Sequence, residues 1–190
     1  LDAELGDISI TTTNRNDKNR ILYSKQVQIR FDNYNYVNER KLKHIRFDSF
    51  EASSIDSLLE IKGFVYSPTL GEEEFLNNLR HRKTFFSMNS ENISSTSFNF
   101  YELYNTQKLI ARKLTIESPN LMIAENLKKE RKEGKVPLMP NDIFRDLPFY
   151  MNIEQLEVHK ANIIYNERAK KGRGTGRIYF TDTDALIENI

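Results

Sequence analysis

Cysteine is absent from the 190 residues, which excludes disulfides, thiolate zinc sites and cysteine nucleophiles while leaving the cellular compartment open. Histidine is scarce: the three are His44, His81 and His159. None stands at metal-ligand spacing from another or from a helical acid, so all are expected at the surface, His159 in a turn. No window approaches the ~18 consecutive apolar residues of a membrane span. Charge of one sign is also lacking, since 28 basic against 27 acidic side chains leave +1. No global field therefore draws the chain toward nucleic acid. Serine elbows, His-Glu-x-x-His and Ser-x-x-Lys patterns are missing too, so catalysis, metal and cofactor have no visible seat and the chain reads as non-enzymatic.

Glycine is sparse, yet three of the seven, Gly172, Gly174 and Gly176, fall together among Lys170, Lys171, Arg173 and Arg177. A dinucleotide loop needs a helix after its glycines, and a P-loop ends in Gly-Lys-Ser/Thr. Here the following Arg177-Ile-Tyr-Phe180 alternates as a strand. The cluster is therefore expected to be a wet, basic hairpin tip over Glu167–Gly176, joining Ile163-Ile-Tyr165 to Ile178-Tyr-Phe180. Asp182 and Asp184 form an Asp-x-Asp after a strand, but no α/β nucleotide domain accompanies them, and a polar turn between Phe180 and Leu186 is expected. The aromatics Phe85, Phe86, Phe98, Phe100, Tyr101 and Tyr104 have no Lys or Arg among them to make a nucleic-acid platform. They are expected in a sheet core.

What the chain has in abundance is period-two alternation, the mark of half-buried strands. Val27-Gln-Ile29-Arg-Phe31, Ile45-Arg-Phe47, Leu59-Glu-Ile61, Phe98-Asn-Phe100 and Leu114-Thr-Ile116 are examples. Helical signals are short: Thr69-Leu-Gly-Glu72 reads as a capping box for a helix to about Arg82, and Asn141 as the cap of a turn carrying Ile143, Phe144 and Leu147 up to Pro148. The charged run 125–135 reads as a solvated turn or loop.

An approximate internal repeat stands out. Residues 114–125, "LTIESPNLMIAE", align without gaps with residues 156–167, "LEVHKANIIYNE", at an offset of 42, Asn120 meeting Asn162 and Glu125 meeting Glu167. Both copies read strand, tight turn, strand, acid. The expected fold is mainly β with short helices: an elongated, curved antiparallel sheet of hairpin units at 20–66, 93–126 and 150–190, with helical or linker insertions at 70–83 and 125–148, in an array that could lengthen by adding units. The opening at Leu1 without Met suggests an excised segment of a longer protein.

The C-terminal third, "LPFYMNIEQLEVHKANIIYNERAKKGRGTGRIYFTDTDALIENI" (147–190), resembles the AsmA/TamB-like proteins of Gram-negative envelopes. Ile153, Leu156, Val158, Ile163, Tyr165 and Glu167 match the group's strand pair, Gly176, Ile178 and Phe180 its following strand, and Ile187, Asn189 and Ile190 the "I-x-N-I" strand. Upstream, residues 50–70 and 98–126 follow the same order. The resemblance implies a repeating β-groove, a periplasmic location, a parent anchored in the inner membrane by parts absent here, and a role in phospholipid transport and outer-membrane homeostasis. Its partners would be phospholipid acyl chains and neighbouring β units of the parent, with no nucleic acid and no cofactor. Leu114, Ile116, Leu121, Ile123, Leu156, Val158, Ile163, Tyr165, Ile178 and Phe180 are the candidate groove side chains. Strand parity within each pair does not say which pairs share a face. The other reading is a closed β-rich scaffold or protein-interaction module with the apolar face sealed inside.

Overall fold

A computed structural model describes residues 2–17, 19–38, 42–130, 132 and 150–190. The protein is mainly β: among the described residues nine strands form one large, mostly antiparallel sheet, accompanied by two short helices. In chain order the elements are β1 (Asp2–Ile8), β2 (Ser24–Asn38), β3 (Lys43–Ser53), β4 (Leu58–Ser67), α1 (Glu72–Asn78), β5 (Phe85–Thr96), α2 (Phe100–Thr106), β6 (Lys108–Glu117), β7 (Asn120–Asn126), β8 (Tyr150–Arg168) and β9 (Thr175–Glu188). Strands β1 to β5 form an antiparallel meander. Next to β5 lie β6 and β7 end to end, then β8, then β9 at the far edge.

The repeat has a different meaning from the one expected. Residues 114–125 are not a hairpin, because β6 and β7 are successive stretches of one line, both antiparallel to β5 and both parallel to β8. Residues 156–167 lie within the single strand β8. The repeat offset is the pairing register: Leu114 sits beside Leu156, Asn120 beside Asn162 and Glu125 beside Glu167. The supposed turn residues are single left-handed positions, Ser118 at φ 47° and Lys160 at φ 53°. One such residue offsets a strand without reversing it. Asn120 then donates its side-chain amide to Asn89 at 2.8 Å, and Asn162 donates to Asn120 at 3.2 Å, a ladder across three strands.

These left-handed residues are aligned. Asn33 (φ 56°) in β2, Gly63 (φ 61°) in β4, Ser118, Lys160 and Asp182 (φ 47°) in β9 mark a line running across the sheet. The pairs on either side of it define the line: Asp32 with Ser49 and Tyr34 with Phe47, Lys62 with Asn92 and Phe64 with Ser90, Glu117 with His159 and Asn120 with Asn162. At the line the side-chain alternation slips phase. Phe31 and Tyr34, three apart in one strand, have ring centroids 6.3 Å apart and share a face, where uninterrupted period two would separate them.

Gly63 is the position where the line demands glycine. A Cβ there would lie 2.0 Å from Asp48 Oδ2, on a backbone at φ 61°. The Asp48 carboxylate is exposed and able to swing away, whereas the left-handed backbone costs an L-residue about 1–2 kcal/mol. Gly63→Ala should therefore still lose about 1–2 kcal/mol when made in an Asp48→Ala background. Urea unfolding checks this, and a double variant as stable as Asp48→Ala would show that the backbone relaxes at no cost.

The helices lie on opposite faces. Phe75 and Leu76 of α1 pack on Phe85, Ala124 and Met122. Phe98 and Phe100, at the start of α2, pack with Ile21, Val27, Ala52 and Leu59 on the other face. Phe98-Asn-Phe100 is thus not a strand: Asn99 caps α2, its side chain accepting from Glu102 N at 3.0 Å. Asn three residues before Glu is a capping signal that outweighs local alternation. The box expected at Thr69 does not form. Gly71 is the N-cap, without a side-chain bond, and α1 ends at Asn78, short of Arg82. The expected turn at Asn141–Pro148 lies outside the described residues, as do residues 131 and 133–135 of the charged run, whose first two residues, Glu125 and Asn126, end β7.

Candidate functional site

Cross-strand neighbours share a face, so the register assigns every candidate. On the α2 side of the slip line one row runs Phe31, Phe50, Ile61, Ile93, Ile116, Val158, Ala185. Beside it runs Ile29, Ala52, Leu59, Ser95, Leu114, Leu156, Ile187. Beyond the line a third row runs Tyr36, Ile45, Tyr66, Met88, Leu121, Ile163, Phe180. A fourth holds Phe86, Ile123, Tyr165 and Ile178.

The two halves belong to the same face. Phe31 stacks on Phe50 at 4.5 Å and Tyr34 on Phe47 at 4.7 Å, while Phe31 touches Phe47 at 5.5 Å across the line. Leu114, Ile116, Leu121, Ile123, Leu156, Val158, Ile163, Tyr165, Ile178 and Phe180 are therefore all on one face. Parity alone would have put Leu121 opposite Leu114; the left-handed Ser118 restores them to the same side.

This face is open over much of its extent. Leu114, Ile116, Leu121, Ile123, Val158, Ile163 and Tyr165 are half-buried, Leu156 is buried, and Ile178 and Phe180 on β9 are 52% and 51% exposed. From the level of Leu114 to that of Ile123 the apolar strip runs roughly 30 Å along the strands. Polar groups bound it. At one end Thr84 donates to Glu125 at 2.6 Å and the Tyr165 hydroxyl donates to Glu167 at 2.9 Å. At the other lies the exposed Arg112–Glu154 pair, 3.9 Å apart. Burial on the strip raises the Tyr66 phenol above its usual range.

Beyond the line the reverse face carries the apolar cluster of α1, but on the α2 side it is written in charge. Gln28 donates to Glu51 at 3.0 Å, Lys62 pairs with Glu60 at 3.2 Å and Lys113 with Glu157 at 2.7 Å. The Lys113 ammonium bonded to Glu157, helped by His159, holds that carboxyl below the usual carboxylate range. His159 is in β8 rather than in a turn, 3.2 Å from Glu157 and 3.8 Å from Asp184. Asp182 and Asp184 likewise lie inside β9, where the strand continues through the left-handed Asp182 instead of turning. Asp184 Oδ1 accepts from Lys160 N at 2.9 Å. Among the described residues no group of three or more metal-binding side chains gathers, and no helix is long and apolar enough to cross a membrane.

No protein-family model, curated protein or solved structure matches the chain. The remaining sequence candidates are placed by the geometry alone. Glu167 pairs with Gly176 and Tyr165 with Ile178, so the glycine cluster is the tip of the β8–β9 hairpin, closed by Ala169 N donating to Gly174 O at 3.1 Å. Phe85, Phe98 and Phe100 are buried, but Tyr104 is 53% exposed. Residues that the sequence did not nominate also line the strip: Tyr66, Phe86, Met88, Ile93 and Ile61. Their signal was present as apolar alternation that changes phase once per strand, as from Phe31 to Tyr34 and from Ile61 to Phe64.

Proposed function

We propose that this chain is a non-enzymatic segment of a Gram-negative envelope protein of the AsmA/TamB type, whose apolar sheet face accommodates phospholipid acyl chains. The observation that carries the reading is the open strip itself: apolar rows continuous across the slip line, half-exposed and flanked by polar ends. An antiparallel sheet ordinarily sets one face against a core, and α2 covers only the Val27–Ala52–Leu59 corner of this one. Each methylene transferred from water to such a surface contributes about 0.8 kcal/mol, so an acyl chain is a natural ligand by size and chemistry.

The envelope setting follows from the resemblance over 147–190 and includes a periplasmic location with the parent anchored in the inner membrane. Among the described residues strands β1 and β9 each have a partner on one side only, which suits neighbouring β units of the parent on either edge. Native mass spectrometry of the protein purified from Gram-negative cells provides the test. Bound phospholipid is expected. A lipid-free protein whose strip is protected from hydrogen exchange and apolar dyes would instead be the closed scaffold.

A further inference from the structure

A net charge of +1 conceals a strong asymmetry along the strands. Three chain segments meet at one end of the sheet: the turn after α1, the turn after β7 and the β8–β9 tip. Arg82 fastens the first two, its backbone N–H donating to Glu130 O and its guanidinium to Lys129 O and Leu127 O, each at 2.9 Å. Leu127 N donates to Arg168 O at 3.1 Å, and Arg168 donates to Asn77 Oδ1 at 2.7 Å, which fastens the third. The cations that remain, Arg80, Lys83, Lys128, Lys170, Lys171 and Arg173, are exposed. No carboxylate among the described residues forms an ion pair with them. The nearby acids are fewer and mostly engaged: Glu125 is bonded to Thr84, Glu167 to Tyr165 and Glu72 to Asn166, and Glu130 is exposed. Glu73 and Glu74 lie in the first turn of α1.

We propose that this basic end docks on an anionic phospholipid bilayer surface. The choice of a membrane over an acidic protein rests on the acyl-chain reading, because the apolar strip ends at the same place: Tyr165 and Ile178 are two residues from the Glu167–Gly176 pair that begins the tip. Clustered lysines and arginines within a Debye length of an anionic leaflet are drawn to it, each strengthening binding roughly fivefold. An exposed hairpin tip reaches a flat surface without displacing the sheet. Docked there, the strip would open next to the headgroups.

The test is co-sedimentation of the chain with vesicles of phosphatidylcholine alone and of phosphatidylcholine mixed with phosphatidylglycerol. Binding to the mixed vesicles only, weakened by added salt, is expected. The exposed triple variant Lys170→Gln, Lys171→Gln, Arg173→Gln, with unchanged circular dichroism, should bind roughly a hundredfold more weakly. Equal binding to phosphatidylcholine alone, an unaffected triple variant, or no vesicle binding at all would overturn the proposal. Tip-dependent binding to polyglutamate without vesicle binding would overturn it in favour of an acidic protein partner. Ile178→Asp separates this reading from the acyl-chain one, since it should remove bound lipid while weakening vesicle docking by no more than the roughly fivefold effect of one charge.

Discussion

Phe98→Ala should destabilise the protein by about 3–5 kcal/mol, the cost of emptying a large aromatic site that the surroundings only partly refill. Phe98 is 3% exposed and meets Phe100 edge-on, with centroids 6.0 Å apart and an interplanar angle of 79°. Its backbone N–H donates to Ser57 O at 2.9 Å, while the next residue, Asn99, donates to Ile110 O at 2.8 Å. These backbone bonds hold the segment against the β3–β4 loop and β6, and the ring itself fills the corner made by Val27, Ala52 and Leu59. Domains have only about 5–15 kcal/mol of stability in total, so this single change consumes a large part of it. Urea denaturation followed by circular dichroism gives the number. Tyr104→Ala, in the same helix at 53% exposure, is the control and should change stability by less than about 0.5 kcal/mol. Similar values for the two variants would mean that α2 is not seated on the sheet.

Why the sheet was legible and its connectivity was not comes down to range. Alternation such as Val27-Gln-Ile29-Arg-Phe31 is a local consequence of one buried face, so strand existence is written into short windows. Pairing partners are not. A repeat at offset 42 fits two hairpins side by side or two strands lying in register, and choosing between them needs the conformation of Ser118 and Lys160. Neither residue type announces a left-handed backbone, which is why the copies read as turns. The phase slips carried the missing information, since Phe31 and Tyr34 are both apolar but three apart. A slip in one strand reads as noise, whereas slips at the same level in successive strands are a bulge line. Of the basic end only the hairpin tip was legible, because Arg80 and Lys128 are distant from Lys170 in sequence and join it only through the Arg82 and Leu127 hydrogen bonds.

Adjacent residues on β9 offer the sharpest test of which face carries the ligand. Ile178 is 52% exposed and Tyr179 57% exposed, so an acid at either position costs the fold little and by similar amounts. They point to opposite faces: Ile178 pairs with Tyr165 on the apolar strip, whereas Tyr179 pairs with Ile164 and accepts from the Arg177 guanidinium at 3.0 Å. Ile178→Asp should remove bound phospholipid, because a carboxylate covered by an acyl chain without a partner loses hydration worth on the order of several kcal/mol, more than a hundredfold in affinity. Tyr179→Asp should retain it. Native mass spectra of the two variants, compared after equal circular dichroism and melting midpoints, decide the matter. Loss in both would place the effect on the β9 edge rather than on a face, and retention in both would remove the strip as the lipid site. Ile163→Asp extends the comparison inward, where Leu121 and Phe180 flank the side chain. There a melting temperature must accompany the binding measurement, since the residue is half-buried and the new charge also burdens the folded sheet.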